Sequence, residues 1–133
     1  MDTNIFANTK VAAYFLWEYT NNENAMSLWY CAEDFGYHLE THHILTIEDL
    51  QNILKKGHDD FEYIYLVRNL AFRIYIYTNQ EDSLTNWFTA EHLLSNEEWC
   101  SAMVNLANSY RQNKGNLSNL NSIRLEKIRQ YYA

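Results

Sequence analysis

The chain has 133 residues, 47% of them hydrophobic, and a formal charge of −7 at neutral pH. This length allows one compact domain with its own core, and the negative charge argues against a protein that follows nucleic-acid phosphates. Because the chain has no proline and three glycines, helices joined by short polar turns are favoured. We therefore expect a single all-α domain over residues 1–133.

The first predicted element is a helical hairpin. Apolar residues recur with helical spacing over residues 8–20 and again over 24–43, and the polar segment NNEN lies between them. The phrase around this turn, residues 13–33, returns at residues 71–91, with eight identities in 21 positions at a constant offset of 58. Chance would give about one or two identities, so the pattern indicates an internal duplication.

Four further helices follow along the chain. They are predicted at residues 47–57, 60–78, 83–94 and 96–112. Thr46 and Ser95, each followed three residues later by a carboxylate, have the form of capping signals for two of them. The segment beginning at Phe61 has the aromatic and β-branched content of a strand, but its match to the first helix favours a helix.

The helices group into two tandem three-helix units, residues 11–57 and 69–112. After the NKGN break, residues 118–131 predict a seventh helix. Terminal helices of repeat proteins commonly cover an otherwise exposed apolar face. We expect this C-terminal helix to cap the second unit.

The repeated phrase has a structural interpretation. Trp29, Ala32 and Glu33 lie on one stripe of a helix, as do their second copies Trp87, Ala90 and Glu91. The small residue would let a neighbouring helix approach beside the indole, with the ring of Tyr14 or Trp17 packing from across the hairpin. Each glutamate could accept a hydrogen bond from an indole N–H or an aromatic hydroxyl. The alternative is a symmetric carboxylate pair at a ligand site.

The same phrase resembles a short bacterial helical family of unknown function, with the pattern A-Y-x-x-W followed by W-x-x-A-E. In the first unit the matching residues are Ala13, Tyr14, Trp17, Glu18, Trp29, Ala32 and Glu33. In the second unit they are Ala71, Trp87, Ala90 and Glu91, with Phe72 and Tyr75 as aromatic substitutes. The resemblance covers about a third of the chain and implies a helical hairpin without an established activity.

The first unit contains a histidine-bearing insertion, within residues 34–46. On a continuing helix, Asp34, His38 and His42 share one face and could hold a metal ion. A single E-x-x-H pair, formed by Glu40 and His43, is less than a di-iron bundle requires. Histidines at a solvated helix end are the more ordinary interpretation, and a pH-sensitive contact is a further alternative.

Signatures of enzymes are missing from the sequence, which contains no Gly-rich phosphate loop and no G-x-S-x-G motif. Aromatic residues make up 16% of the chain, more than so small a domain can fully bury. We predict that exposed tyrosines and carboxylates form a contact surface. The candidate partner-binding residues are Tyr30, Glu33, Asp34, Tyr37 and Glu40.

Two functional hypotheses follow. The first is a non-enzymatic protein-interaction module, a small acidic inhibitor or adaptor of bacterial or phage origin whose partner has a basic surface. The second is a small-ligand or metal-binding helical protein that uses the histidine-bearing insertion. We expect no cofactor, no nucleic-acid partner and no membrane association. An N-terminus without a basic or an apolar region predicts a cytoplasmic protein.

Overall fold

The structure is a computed structural model that describes residues 3–112, and this part of the chain is helical. It contains six helices and no strand. The helices are α1 (Thr3–Thr20), α2 (Ala25–Thr41), α3 (Ile47–Lys56), α4 (Phe61–Thr78), α5 (Ser83–Leu94) and α6 (Glu97–Gln112). The all-α prediction is confirmed for these residues. The predicted seventh helix, residues 118–131, lies outside them.

Most predicted helix boundaries agree with the structure to within two residues. The exception is α1, which begins at Thr3 rather than residue 8. A second difference is the cap of α6, because the side chain of Asn96, not Ser95, accepts a hydrogen bond from the backbone N–H of Trp99 at 2.9 Å. Ser95 instead donates its hydroxyl to the carbonyl of His92. Serine and asparagine are both good N-cap residues, so the sequence alone did not show which of these two neighbours caps α6.

The turns of the two hairpins share their backbone conformation and their hydrogen bonds. Asn21 and Asn79 both have positive φ, at 55° and 60°. Thr20 and Thr78 each donate a hydroxyl to a carbonyl four residues earlier, at 2.6 Å in both cases. The side chains of Asn24 and Asp82 then cap α2 and α5. Asparagine tolerates positive φ at low cost, so both turns close without glycine.

The six described helices pack as two hairpins and two flanking helices. α1 packs on α2, and α4 packs on α5. The hairpins meet through α2 against α4 and α1 against α5. Two ring contacts show that α2 and α4 run antiparallel. The ring of His38 lies near Tyr65, while that of Tyr30, earlier in α2, lies near Tyr77, later in α4. α6 packs on α1 and α2, and α3 packs on α4 and α6.

The core is centred where α6 crosses the first hairpin. Trp99 is fully buried, stacks on Phe35 with ring centroids 5.5 Å apart, and donates its indole N–H to the carbonyl of Ala12 at 3.2 Å. Gly36 lets α6 approach α2 closely, because a Cβ at this position would lie 3.0 Å from the Cβ of Leu106. Burial of a tryptophan with its N–H satisfied is a strong stabilising contact.

None of the six helices in the described part of the chain is both long enough and apolar enough to cross a lipid bilayer.

Candidate functional site

The first hairpin exposes large apolar side chains from its repeated phrase. Tyr14 is 55% exposed and Trp17 is 47% exposed on α1, and Met26 on α2 is 59% exposed. The rings of Tyr14 and Trp17 lie side by side, with centroids 6.0 Å apart. We call these three residues the first aromatic face. Their exposure corrects the prediction that Tyr14 or Trp17 packs across the hairpin.

The second hairpin exposes the equivalent positions to the same extent. Phe72 is 56%, Tyr75 43% and Leu84 60% exposed, and each lies 58 residues after its counterpart. We call these three residues the second aromatic face. Phe72 and Tyr75 line a cavity of about 340 Å³ together with Trp87. Isolated apolar side chains are normal on a protein surface, but two matched groups are informative.

The repeated tryptophans are half-buried rather than core residues. Trp29 packs against the ring of Phe6, with centroids 5.1 Å apart, and Trp87 packs against the core beside Ala71. The repeated alanines, Ala32 and Ala90, are fully buried, as their small size predicts. Trp87 thus lies next to the second aromatic face, where it lines one cavity with Phe72 and Tyr75.

The repeated glutamates have different surroundings in the two hairpins. Glu33 is buried, and the hydroxyl of Tyr110 lies 3.5 Å from its Oε2. Glu91 is half-buried and accepts a hydrogen bond from the hydroxyl of Tyr63. His58 Nε2 lies 3.4 Å from the same carboxylate. Both glutamates therefore meet an aromatic hydroxyl, one of the partners expected from the sequence.

Two predicted partner-binding residues lie inside the protein. Glu33 and Asp34 are buried, because α6 covers α2 on one side and α4 covers it on the other. Asp34 accepts a hydrogen bond from the hydroxyl of Tyr77, and Arg73 Nη1 lies 3.6 Å from its Oδ2. Burial and the adjacent carboxylate raise the pKa of Tyr77, so its hydroxyl stays protonated and donates.

The other three predicted partner-binding residues are only partly exposed. Tyr30, Tyr37 and Glu40 each have intermediate burial. Tyr37 contacts the ring of Tyr110 edge-on, with centroids 6.4 Å apart, and Tyr30 contacts Tyr77. The predicted five residues therefore do not form one exposed surface. Helical spacing placed them on α2 correctly but could not show which sides of α2 the neighbouring helices cover.

The three candidate metal ligands are not brought together. His38 and His42 are adjacent, with ring centroids 4.2 Å apart, but the carboxylate of Asp34 is held by Tyr77. Across residues 3–112, no group of three or more histidine, cysteine, aspartate or glutamate side chains is placed to hold a metal ion.

His38 also differs from the predicted solvated position, because it is buried against Phe35 and Tyr65 while His42 is exposed. Burial, with smaller contributions from the positive charges of His42 and Arg73, lowers the pKa of His38 to about 3. A neutral imidazole inside an aromatic cluster is a core residue. The buried histidine is therefore structural. As predicted, the helix continues into the histidine-bearing insertion, where residues 34–41 form the last turns of α2 and residues 42–46 connect it to α3.

Comparisons with protein families, with curated proteins and with solved structures found no match to this chain. The resemblance to a bacterial helical family therefore remains a prediction.

Proposed function

We propose that this chain is a duplicated helical hairpin that acts as a non-enzymatic protein-interaction module, with one aromatic face of each hairpin as its contact surface. The observation that carries the proposal is the matched exposure of the two faces. Tyr14 and Phe72 differ by one percentage point in exposure, as do Met26 and Leu84. Neither face is needed to fill the core, yet both present large apolar side chains to solvent at the same repeat positions.

Duplication is supported by a contact between the hairpins that recurs when each of its residues is replaced by its counterpart at the offset of 58. Tyr19 of α1 stacks on His92 of α5, with ring centroids 5.6 Å apart. The equivalent residues at the offset of 58 are Tyr77 and Asp34, and these two also meet. The packing of α1 on α5 is thus the counterpart of α4 on α2. An approximate two-fold relation between the hairpins accounts for both pairs.

The expected partner presents apolar side chains together with basic residues. The net charge of −7 favours encounter with a basic surface. An exposed acidic residue occupies each hairpin turn, Glu23 in the first and Glu81 in the second, and Glu81 lines the same cavity as Phe72 and Tyr75. An amphipathic helix with lysine or arginine next to its apolar stripe has this chemistry. Inhibitors and adaptors are proteins that act through a binding contact of this kind alone.

A selection experiment tests the proposal. A library of amphipathic helical peptides is displayed and selected on the full chain, and the selected peptides are titrated against face variants. We expect Trp17→Ser and Tyr75→Ser each to weaken binding at one face by at least about tenfold, because a central aromatic anchor carries much of the energy of a contact. His43→Ser, an exposed change in the turn after α2, is the matched control. Peptides that bind all three variants and the unaltered chain equally would contradict the proposal.

A further inference from the structure

A groove separate from the two aromatic faces lies between α3, α5 and α6, and Tyr63 of α4 also lines it. Its volume is about 630 Å³, within the range of small-molecule sites. Apolar walls come from Ile47, Leu54 and Leu94, and the buried Cys100 also lines it. The charged side chains in the lining are Lys55, Glu91 and Glu97, so carboxylates outnumber the ammonium group.

Glu91 is the half-buried charged group in this groove, with 20% of its side chain exposed. Among the described residues, the contacts to its carboxylate come from Tyr63 and His58, and both reach Oε2. Burial and the adjacent carboxylate raise the pKa of Tyr63 to about 12, so its hydroxyl remains a donor that fixes the carboxylate in place. Oε1 therefore keeps its capacity to accept hydrogen bonds from a bound molecule.

Comparison with the other repeat explains why this carboxylate remains accessible. α6 has sixteen residues and passes over the first hairpin, so that Tyr110 near its end covers Glu33. α3 has ten residues and packs on α4, and within the described chain no α3 side chain makes a hydrogen bond to Glu91. The shorter helix thus leaves an open space where the longer helix supplies a covering tyrosine.

We propose that this groove binds a small organic cation, an amine carried on an apolar body. The ammonium group donates to Oε1 of Glu91, and the apolar body lies against Ile47, Leu54 and Leu94. A partly desolvated carboxylate whose contacts within the described residues are confined to Oε2 can accept a charged donor at Oε1, and charge-assisted hydrogen bonds are the stronger kind. An anionic ligand would instead place its negative charge next to the carboxylates of Glu91 and Glu97, which repel it.

Three compounds that share an indole body and differ in charge test the proposal. Tryptamine, tryptophol and indole-3-propionate are titrated into the full chain at pH 7.5, and binding is followed by calorimetry and by amide chemical shifts. We expect tryptamine to bind with the amide shifts centred on residues 91–101, tryptophol to bind at least about tenfold more weakly, and indole-3-propionate not to bind. The shift pattern distinguishes this groove from the aromatic faces.

Matched charge variants complete the test. Glu91→Gln retains an acceptor for Tyr63 but loses the negative charge, and we expect it to weaken tryptamine binding by about tenfold. Glu98→Gln, an exposed change of the same kind outside the groove, leaves binding within twofold of the unaltered chain. Circular dichroism and thermal unfolding confirm that both variants fold. No tryptamine binding at 10 mM, or equal binding by Glu91→Gln and the unaltered chain, would overturn the proposal.

Discussion

At the scale of single residues, one buried position is apolar in the first repeat and polar in the second. Leu28 is buried in the first hairpin, and its counterpart at the offset of 58 is Asn86, which is equally buried. Asn86 donates its amide to the carbonyl of Gln80 at 2.8 Å, but its Oδ1 is buried with no hydrogen-bond partner in the described structure. An unsatisfied buried acceptor costs roughly 1–3 kcal/mol.

Asn86→Leu restores the residue of the first repeat and should therefore stabilise the protein. We expect a gain of about 1 kcal/mol in the free energy of unfolding, since the carbonyl of Gln80 lies in an exposed turn where water can replace the lost donor. Urea unfolding of the variant and of the unaltered chain measures this gain. The reciprocal change, Leu28→Asn, should cost at least about 2 kcal/mol. A loss of stability in Asn86→Leu would show that the two positions are not equivalent.

His38 gives a second prediction, on the pH dependence of stability. Its pKa is lowered to about 3 in the folded protein, against 6.5 for an ordinary histidine, chiefly by burial. The unfolded chain therefore takes up a proton that the folded chain does not. Protonation of His38 has no effect on stability above about pH 7, and below that its contribution lowers stability as the pH drops from 6.5 toward 3. The slope from this residue approaches about 1.4 kcal/mol per pH unit.

Urea unfolding of the unaltered chain and of His38→Gln at pH 7, 6 and 5 measures this contribution. The variant is less stable at pH 7, because it loses ring contacts with Phe35 and Tyr65. Its loss of stability between pH 7 and pH 5 should nevertheless be smaller by about 1–2 kcal/mol. Carboxylates titrate in both proteins and cancel in the comparison. Parallel pH profiles would mean that His38 is accessible to protons in the folded state.

At the scale of helices, the sequence was sufficient to predict the helices but not the contacts between them. Helical spacing and polar turns predicted five of the six described helices to within two residues, and the match to the first helix correctly made Phe61–Thr78 helical. The start of α1 was predicted five residues too late, because Asn4 and Asn8 are of a residue type that favours caps and turns over helix interiors. Which side of α2 faces α6 depends on tertiary packing, so the burial of Glu33 and Asp34 could not be predicted from spacing.

Gly36 tests the packing of α2 against α6. Alanine is the better helix former by about 1 kcal/mol, so Gly36→Ala would stabilise an isolated helix. Here the added Cβ would lie 3.0 Å from the Cβ of Leu106 and 3.3 Å from the ring of Tyr110. We expect a net loss of about 1–3 kcal/mol in the free energy of unfolding, the usual cost of overpacking. A gain near 1 kcal/mol in urea unfolding would show that the helices are not in close contact.

At the scale of the whole molecule, the repeated phrase supplies both core and surface positions. Its small and buried positions, such as Ala32 and Ala90, join the hairpins into one core, while its large apolar positions remain at the surface. The sequence indicated the repeat and the excess of aromatic residues. It did not separate core from surface, because helical spacing does not show which positions the neighbouring helices cover. Trp29 and Trp87 are half-buried, whereas Trp99, outside the repeat, is the fully buried one among the tryptophans of residues 3–112.

The stoichiometry of peptide binding tests the central claim most directly. A peptide selected on the full chain is titrated by calorimetry into the unaltered chain, into Trp17→Ser and Tyr75→Ser, and into the combined variant. Because the two aromatic faces are equivalent in the repeat, we expect two peptides per unaltered chain, one per single variant and none on the combined variant. Binding that is unchanged in the combined variant would contradict the claim that these faces are the contact surfaces.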